Sequence, residues 1–136
     1  MIGPEALLFD TQAVITWADG SAPDGIKGRV LSGCRVYVSI VSLWEFLLKS
    51  RFHDVGLSFA ELRSVIQDLD AILLPIHPQH LETLEKLPYV GNHKDPFDRL
   101  IISQAISEGY ALVGSDRAFP KYGKTNLGSK LTVFWY

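Results

Sequence analysis

Asp10 follows the apolar run ALLF, Glu45 lies within SLWEF, Asp98 within DPFDRL, and Asp116 follows ALVGS. Acidic residues spread this far along a chain can meet at one edge of an α/β sheet. Several carboxylates converging there would repel one another unless a hard divalent cation sat between them. Such an ion can neutralise a phosphate and lower the pKa of a water that attacks it. A metal-dependent phosphodiesterase is the first reading these residues support.

Each acid also has an ordinary structural role to fill. Asp10 and Asp116 stand at or just past the ends of apolar strands, where ligands of open parallel sheets collect. Asp is common at that place simply because it caps the next helix. Ser42-Leu-Trp-Glu45 has the spacing of a capping box, in which Glu45 bonds back to the Ser42 N–H. Asp95-Pro96 predicts an N-cap followed by Pro at the first helical position, so Asp98 falls in the first turn, where the helix dipole favours a carboxylate. Local reasoning therefore favours a site for Asp10 and Asp116 together, and ordinary helix-start roles for Glu45 and Asp98, with Asp95 as the cap itself.

Other polar residues offer less. His53, His77, His80 and His93 show neither zinc-ligand spacing nor a nucleophilic serine partner, although His93 lies near the acids in sequence. No GxxxxGK[ST] or GxGxxG is present. Cys34 is the single cysteine, which excludes an internal disulfide. Trp17, Trp44, Phe46, Phe97 and Trp135 read as core.

The elements that must position the acids alternate along the chain. Strands are predicted at 6–9, 36–39, 72–76, 111–114 and 131–135. Helices are predicted at 12–18, from Leu43 to Ser50 with Ser42 as cap, from the Ser58/Glu61 capping box to Leu69, at 79–86, and from Asp95-Pro96 to Glu108 before Gly109. The Gly-, Asp- and Pro-rich stretch 19–28 reads as a loop with at most a weak helix after it. Nearly continuous apolar strands alternating with helices imply an α/β fold with a mostly parallel sheet covered on both faces.

The bulk numbers agree with that class. The chain has 136 residues and 15.2 kDa, with 47% hydrophobic and 21% charged residues, which is ordinary globular composition. No linker or repeat divides it, so residues 1–136 read as a single domain. The net charge of −2 shows no general cationic coat, yet lysines and arginines can still cluster around an acidic site. There is no basic leader before Asp10 and no apolar run near the ~20 residues that span a bilayer, so a cytoplasmic protein without membrane attachment is expected.

Longer segments carry a resemblance. LLFDTQAVITW, VYVSIVSLWEFLLKSRF and LPYVGNHKDPFDRLIISQAISEGYALVGSDRAFPKYG resemble the PIN-domain ribonucleases, in particular the VapC-like toxins of type II toxin–antitoxin pairs. The likeness runs from Leu7 to Gly123, with its segments in the family's order. It implies a PIN-like three-layer α/β/α sandwich and an endoribonuclease using Mg²⁺ or Mn²⁺, with one or two ions. The family's acids fall on Asp10, Glu45, Asp98 and Asp116, with Asp10 and Asp98 as direct ligands and the other two as ligands or holders of metal waters. Thr11, Ser115 and Asp95 take supporting places. The resemblance further implies a homodimer and a cognate antitoxin partner. This chain departs from the family at Gln12, where a His is common, and at Gly114, where a Thr or Ser is common and the hydroxyl here sits on Ser115.

Lys49, Arg99 and Arg117 adjoin the acids in sequence and are the candidate contacts to RNA phosphates; Arg99 and Arg117 could each instead pair with Asp95 or a neighbouring carboxylate. Two other function classes compete. A phosphatase using Asp10 as a covalent nucleophile would need a second Asp two positions on, where Gln12 stands. A catalytically inert PIN-like module binding nucleic acid or protein would not need all the acids intact.

Overall fold

The computed structural model describes residues 6–127 and 131–136. Along the chain run β1 (Ala6–Phe9), α1 (Thr11–Ala18), α2 (Asp24–Leu31), β2 (Arg35–Ser39), α3 (Ile40–Ser50) and α4 (Phe59–Asp68). They are followed by β3 (Ile72–Leu74), α5 (Pro78–Lys86), α6 (Pro96–Glu108), β4 (Ala111–Gly114), α7 (Phe119–Tyr122) and β5 (Val133–Trp135). The strands form one sheet in the order β3-β2-β1-β4-β5, and every pairing is parallel. The expectation of a mostly parallel sheet is therefore met by one that is parallel throughout the described strands.

Successive side chains on a strand face opposite ways, and here both directions are apolar. Leu7, Phe9, Val36, Val38, Ala111 and Val113 pack with α1, α2 and α4 in one core. Leu8, Leu112 and Leu74 pack with α6 and α7 in another. Two buried cores flanking one sheet make the fold a three-layer α/β/α sandwich. Neighbouring strands diverge in sequence on either side of β1, so the carboxyl ends of β1 and β4 border the crevice at the topological switch point.

The caps fix where each element begins. Asp10 caps α1 by accepting from Ala13 N at 2.7 Å, so the helix starts at Thr11, one residue before the predicted start. Ser58 and Glu61 form the expected capping box, and Asp95 caps α6 through the N–H groups of Phe97 and Asp98. Gly109 ends α6 in the left-handed region with φ of 76°, where a side chain would be strained.

Several expectations need correction. Helix α3 starts at Ile40, capped by Ser39 rather than Ser42, because the Ser39 hydroxyl accepts from Val41 N. The buried face of α3 then runs through Val41, Ser42, Glu45 and Phe46, which turns Trp44 outward. Trp44 is 58% exposed and meets Phe97 edge-on, so it is not core. Helix α2 starts at Asp24, inside the expected loop 19–28, rather than after it. It is weak in propensity, and burial of Ile26 and the stacking of Arg29 over the Phe134 ring hold it to the body. The edge strand β3 stops before Pro75, β5 starts at Val133, and the short α7 was not foreseen. The Trp135 side chain, and residues 1–5 and 128–130 of the expected single domain, lie outside the described residues. Among those described, no helix is long and apolar enough to cross a membrane.

Candidate metal centre

Beyond the carboxyl ends of β1 and β4 lies a cleft of about 290 Å³ lined by Asp10, Thr11, Glu45, Lys49, Asp98 and Asp116, with Gln12 and Ser115 at its wall. The fold thus brings together all four acids read from the sequence. Ligand atoms of Glu45, Asp95 and Asp98 lie within 4.8 Å of one another, and so do those of His93, Asp98 and Asp116. Asp98 belongs to both trios and is the hub of the cluster. Asp10 lines the same cleft without entering either trio.

Each acid is held by a different device. The Oδ1 of Asp10 is committed to the cap of α1, which leaves Oδ2 toward β4. Glu45, placed a full turn beyond the start of α3, is too far along for the expected capping box. It is buried, accepts from the Thr11 hydroxyl at 2.6 Å and pairs with Lys49 at 2.9 Å. Asp98 sits in the first turn of α6, as expected, with Oδ2 3.2 Å from His93 Nε2. Asp116 accepts from Ala118 N at 2.8 Å and is the most open of the four, its side chain 38% exposed.

Crowding of like charge in a dry place shows in the acidities. Burial pushes the Asp10 carboxyl up to about 7, with the charges of Glu45 and Asp116 adding to it against the opposing bond from Ala13. Burial likewise raises Asp98 to about 8, helped by Asp95, Glu45 and Asp116. The bond to Glu45 holds Lys49 above the usual lysine value. Carboxylates that resist ionising next to one another are groups a cation would relieve. All-oxygen donors of this number suit a hard ion such as Mg²⁺ or Mn²⁺, so the residues present fit that group.

The basic residues separate clearly. Lys49 is at the cleft and half exposed, and Arg117 is exposed. Arg99 is neither a phosphate contact nor a partner of Asp95, contrary to expectation. Its guanidinium is buried, donating to the carbonyls of Leu87 and Pro88 and to the Tyr122 hydroxyl while lying over the Tyr89 ring. Burial on the inner face of α6 is what removes it from solvent, and a one-residue neighbour of Asp98 on a helix points about 100° away.

Sequence reasoning set His93 aside. It belongs at the site: Nδ1 lies 2.8 Å from the Tyr122 hydroxyl, and Nε2 faces both Asp98 and, at 3.9 Å, Asp116. The residue is presented by a turn in which His93 N bonds Val90 O and Gly91 takes φ of 54°. The available signal was the short spacing of GNHKD before the first turn of α6. His80, by contrast, is a buried structural residue between His77 N and Glu108.

The profile of the PIN domain matches residues 7–125 of the chain. No protein of curated function matches it in sequence. Among solved structures, VapBC-5 of Mycobacterium tuberculosis, described as a member of the VapBC family of toxin–antitoxin systems, is similar with a TM-score of 0.66 at 18% identity. That likeness covers 98% of this chain and 100% of the other. VapBC2 of Rickettsia felis, solved bound to a DNA fragment from its promoter, gives 0.65 at 15% identity over 94% and 96%. VapBC-1 of nontypeable Haemophilus influenzae gives 0.61 at 15% identity over 96% and 97%. At these identities the likeness is one of fold.

Proposed function

The chain belongs to the PIN-domain family, and from that premise we propose that it is a Mg²⁺- or Mn²⁺-dependent endoribonuclease, the toxin of a cytoplasmic toxin–antitoxin pair. The observation that carries the reading is the meeting of Asp10, Glu45, Asp98 and Asp116 in one cleft, from four separate elements. Asp98 and Asp116, with Glu45 and Asp10, would hold one or two ions. When bound, the metal supplies charge neutralisation at the scissile phosphate and a more acidic water.

The chain's own residues do the rest. Thr11 and Lys49 fix the Glu45 carboxylate from two sides, so it is held without rotamer freedom at the cleft. The capping bond from Ala13 does the same for Asp10. The exposed part of Lys49, and Arg117 beside Asp116, offer cationic contacts for an RNA backbone. Ser115 lies at the cleft wall between Gly114 and Asp116, where its hydroxyl serves as a supporting group.

The same reading includes protein partners. VapBC-5 is described as part of a toxin–antitoxin system, which supports a cognate antitoxin for this chain. Ile40, Trp44, Leu47 and Leu48 expose a row of apolar surface along α3, of the kind that marks protein interfaces and consistent with a homodimer.

The test is RNA cleavage by the purified protein with Mg²⁺ or Mn²⁺, with EDTA, and with Asp98→Asn. Cleavage should vanish in the second and third. Cleavage that survives Asp98→Asn in a metal-dependent protein would show the centre to be elsewhere. Absence of Mn²⁺ binding by calorimetry at millimolar ion would instead leave a metal-free PIN-fold binding module.

A further inference from the structure

Arg99, Tyr122 and His93 form a continuous line of hydrogen bonds that ends on Asp98. Arg99 Nη1 donates to the Tyr122 oxygen at 3.1 Å, that oxygen lies 2.8 Å from His93 Nδ1, and His93 Nε2 lies 3.2 Å from Asp98 Oδ2. The direction of each bond follows from which groups can donate. Tyr122 is fully buried, so its O–H needs an acceptor inside the protein. A guanidinium has no lone pair to offer, so Arg99 cannot be that acceptor. His93 Nδ1 is the neighbour left to take the hydrogen.

An imidazole that accepts at Nδ1 carries its hydrogen on Nε2 when neutral, and Nε2 faces the Asp98 carboxylate. The bonds then run one way, from Arg99 through Tyr122 and His93 to Asp98. Arg99 is itself fixed at the start of the line by the carbonyls of Leu87 and Pro88. The His93 ring stands edge-on to Tyr122, with centroids 5.5 Å apart.

We propose that His93 is a positioning residue of the metal centre: it donates to Asp98 Oδ2 from a tautomer imposed by Tyr122 and Arg99, and so aims the remaining oxygen of Asp98 into the cleft. This rests on the reading of Asp98 as a metal ligand. It divides the trio of His93, Asp98 and Asp116 into two roles, because a ring nitrogen that carries hydrogen cannot ligate an ion. The two carboxylates face the ion, and the imidazole holds one of them. Partners of this kind commonly change metal affinity by about 10- to 100-fold when removed.

The experiment has a part that needs no metal. ¹⁵N-labelled, EDTA-treated protein is examined by two-bond ¹H–¹⁵N correlation at a pH about two units above the ordinary histidine value near 6.5, with His93 assigned by His93→Gln. The wild type should show the Nε2–H tautomer for His93, and Tyr122→Phe should lose it or mix it with the other form. Mn²⁺ binding is then measured by calorimetry. His93→Leu and Tyr122→Phe should bind about tenfold more weakly, whereas His93→Gln, whose amide N–H replaces that of Nε2, should stay within about threefold of wild type. Circular dichroism confirms that each variant is folded; if Tyr122→Phe is not, the wild-type tautomer and the Gln/Leu pair decide.

An Nδ1–H tautomer in the wild type overturns the proposal. So does unchanged Mn²⁺ affinity in folded His93→Leu. A wild type that shows the expected tautomer but binds no Mn²⁺ removes the metal reading itself, and the positioning role falls with it.

Discussion

A Cβ placed on Gly114 would stand 2.6 Å from Asp10 Oδ2 and 2.8 Å from its Cγ. The carboxylate just past the end of β1 thus lies directly against the backbone of β4, in space that only glycine leaves open. Phe119 closes the other side, its Cε2 also 2.6 Å from that point. Neither neighbour can yield easily, since Asp10 is tied to Ala13 N and Phe119 is fully buried. The departure from the family's usual Thr or Ser is therefore matched by the seat of a neighbouring acid.

Gly114→Ala should displace Asp10 and strain the packing by about 1–3 kcal/mol. The expected outcome is a lower melting temperature together with a loss of RNA cleavage of more than about tenfold. Calorimetric melting and a cleavage assay check it; a variant as active as wild type would show that the position of Asp10 does not matter.

The raised pKa of Asp10 gives a pH signature in metal-free protein. Its folded value of about 7 exceeds the ordinary aspartate value of 3.8, so the folded state holds the proton over a range where the unfolded state has lost it. The stabilisation from this group is complete below the unfolded value and disappears as pH rises through about 7. Asp10→Asn keeps the cap and abolishes the charge. In EDTA at pH 8 it should melt about 4 °C or more above wild type, while near pH 4 the two should coincide. Added Mn²⁺ should raise the wild type more than the variant at pH 8. Equal melting of both proteins at every pH would contradict the crowding of charge in the cleft.

Thr11→Val removes the hydroxyl that donates to Glu45 without changing side-chain shape. Loss of a bond to a buried carboxylate should destabilise the fold by about 1–3 kcal/mol. With Glu45 then held only by Lys49, turnover should fall more than RNA affinity does. Separate kcat and KM values give the answer, and a purely KM effect would count against Glu45 as a held member of the centre.

Arg99→Lys tests the corrected role of that residue. A lysine cannot reach both the Leu87 and Pro88 carbonyls and the Tyr122 hydroxyl at once, so buried acceptors go unsatisfied. The fold should lose about 2–4 kcal/mol, measured by urea unfolding. Lys49→Met, by contrast, should leave the fold in place and weaken RNA binding several-fold at low salt, less at high salt. An Arg99→Lys protein of normal stability that had lost RNA binding would reverse the assignment.

The sequence alone carried the α/β class, the Ser58/Glu61 capping box, the Asp95 cap, the stop of α6 at Gly109, and the four acids that line the cleft. These are local properties: a period of apolar residues, a Ser followed three positions later by Glu, a Gly after the last turn. It misplaced the start of α3 because Ser39 and Ser42 are equally good caps when viewed locally. Only the buried bond of Ser39 to Gln104, a residue 65 positions away, chooses between them. That choice rotates the helix, sends Trp44 outward and turns Glu45 from a cap into a cleft residue.

The tertiary structure likewise decided the fates of Arg99 and His93. Both flank the acids in sequence, but the helix period sends Arg99 inward to backbone carbonyls. The turn at Gly91 brings His93 back to Asp98. Residue types thus named the acids, while the sheet order, by setting the ends of β1 and β4 side by side, determined that they share one cleft. Sequence spacing records no such neighbour, because parallel strands are joined through helices and meet only when packed.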